Sequence, residues 1–196
     1  VGDDLVYGDG GDDLILAGAD DDRVHAGAGD DRVLGEGGSD QLRGDLVPEG
    51  GMPVPGGAHD QGADMIDGGD GNDLIWGAGD DDVLYGGADD DLIWGDDEVA
   101  DLDPAYHGSD LLDGGSGDDR LVGQTGNDAL YGGGDDDLLD GDDTATRLAG
   151  EHHGDDHLAG EDGNDQLQGQ GGADALFGGA DDDVLFGDDG TALLAG

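Results

Sequence analysis

Aspartates recur along this chain at a spacing that could hold metal ions in rows. They stand at Asp4, Asp13, Asp22, Asp31, Asp40, Asp64, Asp73, Asp82, Asp91, Asp110, Asp119, Asp128, Asp137, Asp156, Asp165, Asp174 and Asp183, nine residues apart except where longer insertions intervene. The phrase that carries them is clearest in Gly68–Trp94, where a Gly-Gly-x-Gly-x-Asp turn and three further residues are written three times. Counting from the first glycine, Asp73, Asp82 and Asp91 occupy position six. A carboxylate closing a turn of inward-aimed glycine carbonyls supplies oxygens in loose geometry, as a hard divalent cation requires. Calcium is the ion this donor set suits. The chain does not use the EF-hand route, because no Asp-x-Asp-x-Asp-Gly loop with a distant Glu occurs.

The elements that position these side chains follow from the same period. Two residues after each aspartate comes an apolar one: Val6, Ile15, Val24, Val33, Leu42, Ile66, Ile75, Leu84, Ile93, Leu112, Leu121, Leu130, Leu139, Leu158, Leu167, Leu176 and Leu185. Six turn residues alternating with three strand residues cannot build a helix. Glycine pairs suit a turn that needs positive φ. Strand alternation puts position eight on one face and positions seven and nine on the other. Since position eight is always apolar, it faces a narrow core.

The nonapeptide resembles the RTX (repeat-in-toxin), or hemolysin-type, calcium-binding repeat, and the likeness runs over nearly the whole chain. It implies an all-β fold, a parallel β-roll or β-solenoid with two nine-residue repeats per coil and about 8.5 coils. It also implies that each Ca²⁺ sits between turns two repeats apart on one edge, with all the position-six aspartates as metal ligands. Even-numbered repeats then form an unbroken ladder and odd-numbered ones a ladder punctuated by loops. Up to about fourteen shared ions follow if every neighbouring pair is competent. Asp20, Asp80, Asp89, Asp135 and Asp181 replace the fourth-position glycine, which requires Asp to adopt left-handed φ.

Three stretches lengthen the turn without breaking the phase: 44–61, 95–107 and 141–153. They fall in the fifth, ninth and thirteenth repeats counted from Gly8, so all three should leave the same edge of the roll. A fourth begins at Gly187. The first contains Pro48, Pro53 and Pro55 and reads as an irregular surface excursion. No boundary interrupts the pattern, so residues 1–196 read as a single module.

Composition narrows the partners. With 53 acidic against 5 basic residues and a net charge of −48, nucleic acid and anionic membrane surfaces are improbable partners, being polyanions themselves. Low hydropathy and high charge predict disorder for the metal-free chain. A cation that neutralises the carboxyls would add its binding energy to folding. Glycine recurs at nine and not three, so the chain is not collagen. No apolar run approaches the ~20 residues needed to span a bilayer, which predicts no membrane insertion. There is no cysteine, and the chain opens without Met or a signal peptide, which reads as a processed piece or an excised module.

Other candidates are weaker. His107 and His153 stand just before a returning glycine, with His152 and His59 nearby; aligned, they could form a metal- or pH-sensitive row, against the plainer reading that they bond the returning loop. Tyr7, Trp76, Tyr85, Trp94, Tyr131, Phe177 and Phe186 are all at position nine. Trp76 and Trp94, with Leu74 and Leu92 beside them, offer either a surface for a glycan or protein partner or a cross-strand stack. Nothing suggests a nucleophile and base converging in a pocket, so no enzyme is expected. The leading reading is a calcium-binding structural β-roll that folds on Ca²⁺ outside the cell, part of a larger secreted or surface bacterial protein. The resemblance implies type I secretion. The alternatives are a segment of a head-to-tail extracellular filament or adhesin, and a carbohydrate-binding accessory module of a secreted enzyme.

Overall fold

The computed structural model describes residues 2–45, 62–96, 108–142 and 153–187, together with the backbone of 192–193. His59, Tyr106, His107, His152 and the three prolines of the first loop lie outside the described residues. The strands are β1 (Leu5–Gly10), β2 (Leu14–Ala19), β3 (Arg23–Ala28), β4 (Arg32–Gly37), β5 (Gln41–Asp45), β6 (Met65–Asp70), β7 (Leu74–Ala78), β8 (Val83–Ala88) and β9 (Leu92–Asp96). They continue with β10 (Leu111–Ser116), β11 (Arg120–Val122), β12 (Ala129–Gly134), β13 (Leu138–Asp140), β14 (His157–Asp162), β15 (Gln166–Gln168), β16 (Ala175–Ala180), β17 (Val184–Phe186) and β18 (Ala192–Leu193). No helix occurs among the described residues.

Odd-numbered strands from β1 to β17 form one parallel sheet and even-numbered strands from β2 to β16 the other, each strand pairing with the one two places on. The architecture is the parallel β-roll that the repeat predicts. Pairing is in register, so identical repeat positions stack. One core row runs Val24, Leu42, Ile75, Ile93, Leu121, Leu139, Leu167; the facing row runs Val33, Ile66, Leu84, Leu112, Leu130, Leu158. All of these are fully buried, which is the narrow core expected of position eight.

Two features go beyond the nonapeptide pattern. Most strands do not stop after three residues but continue through positions one to three of the next turn, as in β10, where Leu111–Ser116 pairs with β12 as far as Ser116↔Gly134. Glycines there let a positive φ at position two coexist with continued pairing, as at Gly69 (φ 109°) and Gly87 (φ 118°). The second feature is at the end of the odd sheet, where β18 pairs antiparallel with β17, Leu185 opposite Leu193. That backbone covers part of an edge for which the repeat alone provides no neighbour.

The strands flanking the long loops settle which edge those loops leave. β5, β9 and β13 all belong to the odd sheet, and β6, β10 and β14, which follow them, to the even sheet. Each loop therefore interrupts the same kind of crossing, and the three share one edge.

Candidate metal centre

Each edge of the roll carries a continuous row of position-six aspartates. On the loop-bearing edge the N–H of Asp13 donates to Asp31 Oδ1 (2.8 Å), Asp31 to Asp64 (2.8 Å), Asp64 to Asp82 (2.8 Å), Asp82 to Asp110 (2.9 Å), Asp110 to Asp128 (2.9 Å), Asp128 to Asp156 (2.9 Å) and Asp156 to Asp174 (3.1 Å). The opposite edge repeats the pattern from Asp4 through Asp22, Asp40, Asp73, Asp91, Asp119, Asp137 and Asp165 to Asp183. Partners are 18 residues apart in plain turns and 28 or 33 apart where a loop intervenes. The loops thus punctuate the sequence spacing and leave the row itself unbroken. All the predicted aspartates are brought together this way; Asp4 at the first turn is exposed, Asp13 and Asp174 are half-buried, and the others are buried.

One oxygen of each carboxylate after the first in each row is thereby used. The other, Oδ2, is buried and without a hydrogen-bond partner in Asp22, Asp31, Asp40, Asp64, Asp73, Asp82, Asp91, Asp110, Asp119, Asp128, Asp137, Asp156 and Asp165. A buried acceptor left unmade costs its desolvation, so a whole row of them points to a missing positive partner. Except in Asp22 and Asp31, whose turns open with Ala17 and Ala26, each such oxygen lies against the α-carbon of the glycine that opens its own turn. Beside Gly114 a methyl group would meet Asp119 Oδ2 and, at 2.7 Å, the carbonyl oxygen of Gly132 on the next coil. Beside Gly86 it would meet Asp91 Oδ2 and, at 2.6 Å, the carbonyl oxygen of Gly114. The cradle is therefore one carboxylate oxygen and one main-chain carbonyl from adjacent coils, held open by the lack of a Cβ. Among the described residues no three acidic, imidazole or thiol side chains gather as a metal cluster, so further oxygens there are main-chain or water.

The electrostatics agree with that geometry. Burial foremost, and neighbouring carboxylates after it, hold Asp64, Asp73, Asp119 and Asp156 up to about 7 and Asp91 and Asp137 up to about 8, against the relief of one backbone N–H each. Asp82 is pushed to about 11, by burial and then by Asp110, and Asp110 and Asp128 also lie well above the usual range. Such rows resist ionisation unless a cation is present.

The turns also hold a second row that position-six reasoning missed. Exposed side chains at position five accept the position-five N–H of the following coil: Asp90 from Asp118 (3.1 Å), Asp118 from Asp136 (3.1 Å) and Asn127 from Asp155 (2.7 Å). Its bonds run opposite to those of the position-six row. Its sequence signal is the frequency of Asp, Asn and Ser just before the position-six aspartate. At position four, Asp20, Asp80, Asp89, Asp135 and Asp181 do take left-handed φ, between 64° and 83°.

Of the histidines singled out by spacing, only His153 is described, and its Nδ1 is 2.9 Å from Asp142 Oδ2 at the start of the same loop. Trp76 and Trp94 stack with centroids 5.1 Å apart and planes within 5°. Each thus turns one flat face to the other, the geometry of a cross-strand stack. His25 stacks on Tyr7 in the same manner.

Parallel strands joined by glycine turns, with a row of half-satisfied carboxylates along each edge, define a parallel β-solenoid with two acidic edges. The chain belongs to the family of RTX calcium-binding nonapeptide repeats: the family model, which describes four copies, matches residues 1–24, 16–46, 60–93, 108–145 and 154–185. The family is a structural, calcium-binding one. No curated protein matches the chain.

Proposed function

We propose that residues 1–196 form a single calcium-binding structural module, without catalytic activity, whose position-six aspartates hold Ca²⁺ between successive coils. The observation that carries this reading is the repeated buried, unpartnered Oδ2 that converges with a carbonyl oxygen of the next coil beside a glycine lacking Cβ. Calcium supplies the positive charge the rows lack. Asp64, Asp82, Asp110 and their counterparts place one carboxylate oxygen in each cradle, and position-one carbonyls add a second donor. About fourteen shared sites follow if nearly every neighbouring pair in the two rows holds an ion. Because no site exists in the unfolded chain, binding free energy becomes folding free energy. The module would stay unfolded in calcium-poor cytosol, leave by type I secretion, and fold outside the cell as part of a larger secreted or surface protein. Far-UV circular dichroism tests the first step: chelator should abolish the strand signal and millimolar Ca²⁺ restore it cooperatively. A chelator-resistant β spectrum refutes the reading.

A second reading, head-to-tail stacking into a filament or adhesin, is favoured by the large exposed apolar side chains. Leu5, Tyr7, Leu14 and Leu16 all lie in β1 and β2, and Phe177 in β16. Uncovered strand edges invite pairing with another coil. Light scattering of the calcium-loaded chain decides it, a monodisperse monomer at high concentration counting against assembly.

A further inference from the structure

The loop-bearing edge contains three carboxylates that the nonapeptide pattern does not require. Asp45, Asp96 and Asp142 each follow the glycine that opens a long loop, and each is buried to within 1% of full exclusion. The plain turns of the same edge place Asp9, Gly27, Ala78, Gln124 and Gln170 at this position with φ of 74°, 123°, 103°, 79° and 71°, and Asp9 there is exposed. The three aspartates do not adopt positive φ.

Each lies beside a cradle of the kind described above. Across the first loop, Asp64 Oδ2, buried and without a hydrogen-bond partner, lies against the α-carbon of Gly44, with the carbonyl oxygen of Gly77 2.5 Å from the point a Cβ would occupy. Across the second, Asp110 Oδ2 lies against Gly95, with the Gly123 carbonyl oxygen 2.7 Å from that point. Across the third, Asp156 Oδ2 lies against Gly141, and the Gly169 carbonyl oxygen is 3.0 Å away. The second loop offers an independent sign as well. Gln124, next to Thr125, is 4% exposed, and neither polar atom of its amide has a hydrogen-bond partner.

We infer that Asp45, Asp96 and Asp142 each add a second carboxylate to the cation site at the base of a loop, so that the loop-bearing edge contains a distinct, tighter class of Ca²⁺ site. The inference rests on the calcium reading above. Two facing carboxylates bind a hard cation more tightly than one, because ligand charge sets much of the affinity. They also need it more. Burial, and next to it the Asp64 carboxylate, holds Asp45 up to about 8, and after burial Asp96 is the largest charge acting on Asp110. Asp45 Oδ2 accepts the Gly62 N–H (3.1 Å), and Asp96 Oδ2 accepts the Thr125 hydroxyl (2.8 Å) and N–H (3.3 Å), all neutral donors. The third loop differs. Asp142 Oδ1 accepts the Gly154 N–H (3.4 Å) and Oδ2 the Gly171 N–H (3.0 Å), with His153 Nδ1 2.9 Å from Oδ2. An ion shared by the two ends of a loop would fasten its base while the excursion itself varies in length.

Equilibrium titration of the full chain with Ca²⁺ alone, by calorimetry, tests this with Asp45→Asn/Asp96→Asn. Asparagine keeps an oxygen that accepts the same N–H and hydroxyl donors but removes the charge. The wild-type chain should show two affinity classes, and the double variant should lose two ions from the tighter class or bind them at least tenfold more weakly. Each single variant should lose one. Asp70→Asn/Asp162→Asn, which changes exposed carboxylates by the same charge, should match the wild type. A wild-type isotherm in the double variant overturns the inference. So does a loss of thermal stability in saturating calcium with the tight class intact, which would make these residues loop staples only. A wild-type chain that binds no Ca²⁺ defeats the calcium reading itself, whereas one class of site in all proteins defeats only this inference.

Discussion

Adding one methyl group at Gly114 should separate the cost of crowding from the cost of losing an ion. Gly114 opens the turn that ends in Asp119, and its φ lies outside the left-handed region, so alanine can adopt its backbone. The new Cβ would press on Asp119 Oδ2 and lie 2.7 Å from the Gly132 carbonyl oxygen and 2.9 Å from Asp119 Cβ. Relieving that overlap costs about 1–3 kcal/mol whether or not calcium is present. If the methyl also occupies the space of an ion, the variant forfeits that ion's linkage, about 2.7 kcal/mol at a hundredfold excess over Kd. That part of the deficit grows by about 1.4 kcal/mol for each further tenfold in free calcium. Gly134→Ala is the control, because its φ is ordinary and nothing lies within 4 Å of its would-be Cβ. It should be neutral or gain roughly 0.4–1 kcal/mol through the unfolded chain. Urea denaturation at a series of buffered free calcium concentrations measures both. A Gly114→Ala deficit that stays constant as calcium rises would show that methyl and ion do not compete, and the cradle would be misassigned.

Two further outcomes follow from the rows. The folded-state values of Asp91 and Asp137 are raised to about 8 and those of Asp64 and Asp73 to about 7, so the metal-free folded chain retains protons that the unfolded chain has released. Its stability should therefore be greatest near pH 4 and fall as pH climbs toward 8; more strand signal in chelator at pH 8 than at pH 5 would contradict this. In saturating calcium, Asp82→Ala removes a buried row member and orphans the Asp64 N–H that donates to it at 2.8 Å, an expected loss of about 1–3 kcal/mol with weaker calcium binding. Asp90→Ala removes an exposed acceptor of the Asp118 N–H, where water can substitute, and should cost under about 1 kcal/mol; equal effects in melting experiments would invalidate the assigned register.

Much of this architecture is legible in one dimension because the solenoid is nearly one-dimensional. Each coil meets only its neighbours, so a period of nine with Leu or Ile two residues after Asp already implies which residues stack, as Ile75 over Ile93 and Asp64 beside Asp82 do. The odd numbering of the long turns likewise places all three on one edge before any coordinate is known. What the period could not reveal depends on directions within a turn. Which oxygen of each aspartate is bonded and which is left over, the opposite polarity of the position-five row, and the pairing of β18 against the periodic trend all require the path of the backbone. Asp45, Asp96 and Asp142 show the limit most clearly. In the sequence each is one more acid in a chain with 53, at a slot that elsewhere holds Gly, Ala, Gln, Glu or, at Asp9, another Asp. Only the closing of each loop, which returns Asp64, Asp110 and Asp156 to the glycine where the chain departed, makes it half of a buried like-charged pair.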